Sequence, residues 1–313
     1  MKLHHIIEAQ QFDRSTLTEL FETSRRMEGV VRSGGVADYP NCIMAALFYE
    51  PSTRTRFSFE AAMHRLGGRV ITTENAAEFS SVSKGETLED TIRILNGYTD
   101  LIVIRHFEVG AAQRAAAVSR VPVINAGDGV GQHPTQALLD LYTIQKEIGS
   151  IDGLRIAMVG DLAQGRTVRS LAYLLGKFKD VTVYFVAPPL LRMKDDILDY
   201  LQERHVTCKE ESDLEKVMPE VNVVYQTRVQ KERFGDRIAD YEKCRGLYVI
   251  TPATLRLLRK DAIIMHPLPR VDEITMEVDQ DPRAAYFRQA QNGLYVRMAL
   301  LQMVLGAPET THH

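Results

Sequence analysis

The sequence is poor in several features that would each indicate a particular class of protein. Its three cysteines, Cys42, Cys208 and Cys244, are far apart and show no CxxC spacing, so we expect free thiols in a reducing compartment. No apolar run approaches the roughly 20 residues of a membrane-spanning helix. The first residues, MKLHHIIEAQQFDRS, lack the apolar core of a signal peptide. These absences predict a cytoplasmic protein with no membrane segment.

The chain also lacks a charge of one dominant sign. Its 38 basic and 41 acidic residues give a net charge of −3, so no global field attracts nucleic acid or an anionic membrane. Any anion that this protein binds must therefore be held by local arginine clusters. The 313 residues, 45% hydrophobic and 25% charged, are enough for two ordinary globular domains.

Short apolar runs alternate with helical periods along most of the chain. The predicted strands are Ile43–Tyr49, Arg69–Thr73, Leu101–Arg105, Val121–Asn125, Arg155–Val159, Val181–Val186, Val221–Gln226 and Ala262–Met265. The predicted helices are Thr53–Leu66, Thr87–Tyr98, Val109–Val118, His133–Ile148, Thr167–Phe178, Asp195–Arg204, Asp213–Met218 and Pro252–Arg259. Apolar strands separated by helices indicate parallel sheets covered on both faces. We therefore predict an α/β fold with two doubly wound parallel-sheet domains, an interdomain cleft and long crossover helices.

The boundary between the two predicted domains is expected at the long helix that starts at His133. This gives a first domain over residues 1–132 and a second over residues 133–289. A last amphipathic helix, marked by Leu294, Met298, Leu301 and Leu305, covers residues 290–306 and is expected to pack back on the first domain. No strand follows it.

The most informative segment is EPSTRTR at residues 50–56. It lies between a predicted buried strand and a predicted amphipathic helix, where backbone N–H groups and the positive end of the helix dipole are available. Three hydroxyls (Ser52, Thr53 and Thr55) and two guanidinium groups (Arg54 and Arg56) share that turn. One such residue would be an ordinary helix cap, but the whole group predicts a site for a phosphate or carboxylate.

Polar residues also follow the other predicted strands. The side chains singled out at these strand ends are Arg105, His133, Gln136, Arg166, Arg228 and Gln230, together with the HPLPR segment at residues 266–270. Ligands of open parallel sheets bind outside the carboxyl ends of the strands. An arginine at one strand end is usually a surface ion pair, but their recurrence in both series predicts a cationic cleft. His133, at a helix start, could polarise a carbonyl oxygen, although a lone histidine there is more often structural.

Several familiar motifs are incomplete. The segment GDLAQGRT at residues 160–167 has the spacing of a P-loop, but Arg166 replaces the required lysine, which argues against a nucleoside triphosphate. No strand is followed by GxGxxG, and no HExxH or Cys/His set is present, so neither a dinucleotide nor a metal is expected. No GxSxG serine elbow exists.

The remaining motifs resemble the aspartate/ornithine carbamoyltransferase family, and within it the catalytic chains that use aspartate. The segments that carry the resemblance are FYEPSTRTRFSFE, SKGETLEDT, RHFEVG, GDGVGQHPTQALLDLYT, GDLAQGRTVRSL, TRVQKERF and MHPLPRVDEI. Only residues 188–220 carry little of it. The resemblance implies transfer of the carbamoyl group of carbamoyl phosphate to L-aspartate in pyrimidine biosynthesis, by direct attack and without a cofactor or metal.

The resemblance also implies roles for particular residues. The phosphate of carbamoyl phosphate would be held by Ser52, Thr53, Arg54 and Thr55, and its carbonyl oxygen would be polarised by Thr55, Arg105 and His133. The carbamoyl NH₂ group would be held by Gln136 and by the turn containing Pro267, Leu268 and Pro269. The aspartate carboxylates would be held by Arg166, Arg228 and Gln230. Ser80 and Lys84 would come from a neighbouring chain of a homotrimer, and Lys84 would also contact aspartate. A regulatory chain or a dihydroorotase is a further expected partner.

Three other functions remain open at this point. The first is ornithine carbamoyltransfer, which would need an acidic recognition element and a cysteine in the segment that here reads MHPLPR. The second is a non-catalytic scaffold, which should have lost Arg54, Arg105 or His133. The third is a nucleotide-binding oxidoreductase, which lacks its glycine fingerprint here and would rest on fold alone.

Overall fold

The computed structural model of the chain describes residues 3–74, 85–229, 234–235 and 238–307. The chain divides into two compact units. The first contains the residues up to Thr135 together with those from Asn292 onward, and the second is Gln136–Gln291. Within the described residues, no helix is long and apolar enough to cross a membrane.

Strands and helices alternate through both units. The described strands are β1 (Ile43–Phe48), β2 (Arg69–Thr73), β3 (Leu101–His106), β4 (Val123–Asp128), β5 (Arg155–Val159), β6 (Thr182–Val186), β7 (Thr207–Glu211), β8 (Val223–Gln226) and β9 (Ile263–Met265). The described α-helices are α1 (Arg14–Arg32), α2 (Thr53–Arg65), α3 (Leu88–Leu95), α4 (Ala111–Val118), α5 (Pro134–Ile148), α6 (Arg166–Leu175), α7 (Asp195–Gln202), α8 (Leu214–Val217), α9 (Ile238–Cys244) and α10 (Tyr286–Leu305).

The first unit is built on a four-stranded sheet in the order β2-β1-β3-β4, with all neighbours parallel. Every residue of the central strand β3 is buried, whereas the edge strand β2 is largely exposed. One face of the sheet packs against α3 and α4 through a cluster that includes Ile102, Ile104, Ile92 and Ala115. Burial on both faces explains why β3 has a continuous apolar run.

The second unit is built on a five-stranded parallel sheet in the order β7-β6-β5-β8-β9. Its core on one face joins Val159 of β5, Val224 of β8 and Ile264 of β9 to Leu214 and Val217 of α8. In both sheets the first strand in sequence is central and later strands are added on either side of it. The carboxyl ends of β5, β8 and β9 therefore lie side by side.

The predicted α/β class with two parallel-sheet units is confirmed, and each predicted strand is present with small shifts at its ends. Three elements were not predicted: α1, α9 and the edge strand β7. β7 reads TCKEE and is mostly exposed, so it has no apolar run to indicate it. The helix predicted over Pro252–Arg259 is wrong, because only a short 3₁₀ turn forms there, at Thr254–Arg256.

Candidate active site

The turn between β1 and α2 has the features of an anion site. Ser52 is the N-cap of α2, but its side chain makes no capping hydrogen bond, and the first turn of the helix contains no acidic residue. Thr55 is buried and Arg54 lies on the exposed side of the turn. Partial burial lowers the pKa of the Arg54 guanidinium from its ordinary value, and arginine stays charged at neutral pH. An anion here would meet hydroxyls, backbone N–H groups and one cation.

Arg56, the second arginine of the turn, is directed elsewhere. Its guanidinium is 3.1 Å from Glu60 and 2.9 Å from Glu74, and it also lies over the ring of Phe57. The expectation that both arginines serve the anion site is therefore corrected, because Arg56 ties α2 to the end of β2.

Arg105 lies beside this turn because β1 and β3 are paired. Phe48 is opposite Arg105 in the parallel register, and the backbone N–H of Tyr49 donates to the Arg105 carbonyl at 2.8 Å. The guanidinium forms an ion pair with Glu50 at 2.8 Å and donates to the carbonyl of Ala126 at 3.3 Å. Only 8% of Arg105 is exposed, so its charge is held by fixed partners.

The loop after β4 presents His133 and is shaped by Asp128. The Asp128 carboxylate accepts hydrogen bonds from the backbone N–H groups of Gly110 at 2.9 Å and Gln132 at 2.7 Å. Gly129 has a φ of +48°, and a Cβ there would lie 2.5 Å from the Phe107 carbonyl. These contacts fix the loop immediately before His133, which is buried with 5% of its surface exposed.

In the second unit, two arginines follow adjacent strands. Gly160 directly follows β5, and its φ of +110° places it against Thr227, whose carbonyl would lie 2.5 Å from a Cβ. Thr227 in turn bonds Val159 through its backbone N–H at 2.9 Å and its hydroxyl at 2.8 Å. Arg166 begins α6 and Arg228 follows Thr227, so both half-buried arginines belong to turns packed at this sheet edge.

The turn after β9 is held by His266. The Leu268 N–H donates to His266 Nδ1 at 2.8 Å, and His266 Nε2 lies 2.7 Å from Glu273. Since a backbone N–H can only donate, Nδ1 is the acceptor and Nε2 carries the proton. Burial tends to raise the pKa of Glu273, but hydrogen bonds from His266 and the backbone outweigh it and the pKa is lowered. The carbonyls of Pro267 and Leu268 are presented by this turn.

Gln136 lies on the first turn of α5 and donates through Nε2 to Asp140 at 2.8 Å. The predicted site residues Ser80, Lys84 and Gln230 lie outside the described residues. In the parts of the chain that are described, no group of three His, Cys, Asp or Glu residues could hold a metal ion.

Several residues that shape the site were not found from the sequence. Glu50, Asp128, Asp140 and Glu273 are acidic, whereas an anion site is predicted from hydroxyls and cations. The positions of three of these residues in the sequence nonetheless indicate a structural role. Asp140 interrupts an apolar helix face, and Glu50 and Asp128 stand at strand ends. Buried carboxylates at such places are usually partners of nearby donors.

Comparisons with known proteins cover nearly the whole chain. Residues 4–146 match the family model "Aspartate/ornithine carbamoyltransferase, carbamoyl-P binding domain", and residues 152–304 match "Aspartate/ornithine carbamoyltransferase, Asp/Orn binding domain". The chloroplastic aspartate carbamoyltransferase of Oryza sativa subsp. japonica is 61% identical over 97% of this chain and 86% of its own length. The aspartate carbamoyltransferase catalytic subunit of Thermoplasma volcanium is 51% identical, over 98% and 99%.

A solved structure is also similar. Aspartate transcarbamoylase from Trypanosoma cruzi, in complex with carbamoyl phosphate and aspartate, has a TM-score of 0.91 and 44% sequence identity. The match covers 96% of this chain and 97% of that one.

Proposed function

The chain belongs to the aspartate/ornithine carbamoyltransferase family, and we propose that it transfers the carbamoyl group of carbamoyl phosphate to the amine of L-aspartate. The products are N-carbamoyl-L-aspartate and phosphate, an early step of pyrimidine biosynthesis. The observation that carries this proposal is the 61% identity to an aspartate carbamoyltransferase over 97% of the chain. Arg228 and the absence of a cysteine in the MHPLPR segment favour aspartate over ornithine as the acceptor.

Carbamoyl phosphate is assigned to the strand ends of the first unit. Its phosphate would bind Ser52, Thr53, Arg54 and the buried Thr55, where no acidic side chain of the helix's first turn competes. A phosphate at a helix N-terminus is stabilised by the N–H groups and by the dipole. The guanidinium of Arg54 adds a charge-assisted hydrogen bond.

The carbonyl oxygen is assigned to Thr55, Arg105 and His133. Attack by the amine converts this oxygen into the oxyanion of a tetrahedral intermediate, and donors fixed before the reaction stabilise it without reorganisation. Arg105 is fixed by Glu50 and Ala126, and the loop before His133 is fixed by Asp128. Arg105 and the loop that carries His133 are thus held by the protein before a substrate binds.

The reaction needs no covalent intermediate. The aspartate nitrogen forms a bond to the carbamoyl carbon, the bond from that carbon to the phosphate oxygen breaks, and the proton of the amine passes to the departing phosphate. Carbamoyl phosphate is an acyl phosphate with a good leaving group, so orientation and oxyanion stabilisation supply the catalysis. The NH₂ group is assigned to Gln136 and to the carbonyls of Pro267 and Leu268, in the turn that ends at Pro269.

L-Aspartate is assigned to Arg166, Arg228, Gln230 and Lys84. Planar guanidinium groups bind carboxylates through paired hydrogen bonds, and the adjacent ends of β5 and β8 bring the turns of Arg166 and Arg228 to one edge of the sheet.

The assembly is proposed to be a homotrimer in which Ser80 and Lys84 complete the site of the neighbouring chain. Two further partners are proposed, a regulatory chain and a dihydroorotase. The Thermoplasma relative is named a catalytic subunit, and this name supports the proposal of a regulatory chain. We assign the protein to a reducing compartment, the cytoplasm, because all three cysteines are free.

Replacing Arg228 tests the choice of acceptor. Arg228→Ala should raise the KM for aspartate by at least about tenfold, the cost of one charge-assisted hydrogen bond, and change the KM for carbamoyl phosphate by less than about threefold. Arg259→Ala, at an exposed arginine paired with Asp261, is the matched control and should change neither. Equal effects of Arg228→Ala on both KM values would refute the carboxylate role.

A further inference from the structure

A buried hydrogen-bond network in the second unit joins two of the groups assigned to the carbamoyl NH₂. Its centre is Asp140 on α5, whose side chain is completely buried. Three side chains donate to its carboxylate: Gln136 Nε2 at 2.8 Å, Gln289 Nε2 at 2.6 Å and the Tyr225 hydroxyl at 2.6 Å. A buried carboxylate with several donors is a rigid junction, because moving any donor leaves a charge uncompensated.

The network extends from Asp140 to the turn after β9. Gln289 donates to Asp140 with its amide nitrogen, so its amide oxygen faces the other way, and that oxygen accepts the N–H of His266 at 2.8 Å. His266 in turn accepts the N–H of Leu268 through Nδ1. The carboxylate of Asp140 is thus linked through one buried glutamine to the backbone that presents the Pro267 and Leu268 carbonyls.

The same carboxylate decides which end of the Gln136 amide is presented to a ligand. A carboxylate accepts hydrogen bonds and cannot donate them, so the Gln136 nitrogen must face Asp140. The Gln136 oxygen is then the end left for a ligand, and it can accept a hydrogen bond from an NH₂ group. With the nitrogen outward, the same side chain would repel that NH₂.

The third donor keeps its proton at neutral pH. Burial and the adjacent Asp140 charge raise the pKa of the Tyr225 hydroxyl well above its ordinary value. The Asp140 oxygens can only accept while the carboxylate is ionised, so each of its three partners must present a donor to it.

We propose that Asp140 is a positioning residue that makes the site selective for a carbamoyl NH₂. It holds the Gln136 oxygen outward. Through Gln289 and His266 it also fixes the turn that carries the other acceptors, the carbonyls of Pro267 and Leu268. The proposal rests on the proposed function, since it assumes that Gln136 contacts carbamoyl phosphate. To that function it adds the physical reason why the site prefers a carbamoyl NH₂. Asp140 itself contacts no substrate.

The test compares three ligands by calorimetric titration without aspartate: carbamoyl phosphate, acetyl phosphate, in which a methyl group replaces the NH₂, and inorganic phosphate. In Asp140→Leu no acceptor remains for the Gln136 nitrogen, so nothing holds the Gln136 oxygen outward and the amide can turn over. We expect the preference for carbamoyl over acetyl phosphate to fall at least about tenfold. The affinity for inorganic phosphate should stay within about twofold, because its residues are in the first unit.

Thr143→Val is the control for a purely structural effect. Thr143 is buried on the same helix, and its hydroxyl donates to the Leu139 carbonyl at 2.7 Å. Its replacement should lower thermal stability while the carbamoyl preference stays unchanged. If Asp140→Leu does not fold, Gln289→Met cuts the link to His266 while leaving Gln136 bound to Asp140, and the preference should fall about threefold or more.

Two results would overturn the proposal. One is a folded Asp140→Leu variant with the wild-type preference, and the other is an equal loss of affinity for all three ligands, which is what a general structural defect produces. Failure of the proposed function gives a different result, because the wild-type chain itself would then form no carbamoyl aspartate and show no preference for carbamoyl phosphate.

Discussion

At the scale of single residues, two of the groups proposed to act in the first unit are held by carboxylates. Arg105 is fixed by Glu50, and the loop before His133 is fixed by Asp128. A donor that is already oriented stabilises a developing oxyanion more than one that must first be ordered. The proposed roles of Arg105 and His133 therefore depend on Glu50 and Asp128, which position them.

His133 is the donor whose loss should be clearest. His133→Ala should lower kcat by roughly 10²–10³, as expected for one oxyanion donor, with a smaller change in either KM. Steady-state kinetics with both substrates measure this. His205→Asn is the control, because His205 is exposed and has a φ of +58°, which asparagine accepts. A His133→Ala turnover within about twofold of wild type would remove His133 from the mechanism.

Sequence reasoning identified which residue types follow each strand but not where their side chains point. Arg54 and Arg56 could not be distinguished by position, because both lie in the same helical turn. The structure separates them, since Glu60 is one turn along on the same helix and Glu74 follows β2. The Glu60 pair is an i,i+4 contact that the sequence shows, whereas the Glu74 pair depends on which strand lies beside the helix, and the sequence does not state that.

At the scale of elements, the strands that form the middle of each sheet could be predicted, whereas of the two exposed edge strands β2 was predicted and β7 was not. A strand buried on both faces begins with a continuous apolar run, as β3 and β8 do, and such a run is visible in a sequence. β7 pairs with β6 along its backbone while most of its side chains face solvent. Nothing in TCKEE requires a strand there.

Helix α1 was not predicted although its sequence indicates it. Asp13 caps it by accepting from the N–H of Thr16 at 2.7 Å, and Leu17, Leu20 and Met27 lie on its buried face. This spacing and cap are typical of a helix start. The helix predicted at Pro252–Arg259 is wrong for the opposite reason, because a signal for a helix start is present but no α-helix follows it. The Thr251 hydroxyl accepts the N–H of Thr254, and only one 3₁₀ turn forms there.

At the scale of the whole molecule, two α/β series were visible in the sequence because each strand run is followed by a helical period. The order of strands within each sheet was not visible, since apolar runs carry no record of their neighbours. The residues proposed for the neighbouring chain, Ser80 and Lys84, concern the assembly and are tested by mixing chains.

Mixing two inactive variants tests whether sites are shared. Lys84→Ala and Arg54→Ala chains should each be inactive alone. After unfolding and refolding together in equal amounts, random trimers should recover about a quarter of the wild-type sites, because a site needs its own Arg54 and a neighbour's Lys84. Replacing the Lys84→Ala chain by one carrying both substitutions is the control and should give no recovery. No recovery in the first mixture, with chain exchange verified, would contradict a shared site.

The central claim is that this chain carbamoylates aspartate. The most direct measurement is product formation from carbamoyl phosphate with L-aspartate and, in parallel, with L-ornithine. We predict carbamoyl aspartate in the first reaction and no citrulline in the second. Citrulline would contradict the assignment of Arg228 to a carboxylate, and the absence of both products from a folded protein would contradict the claim of catalysis itself.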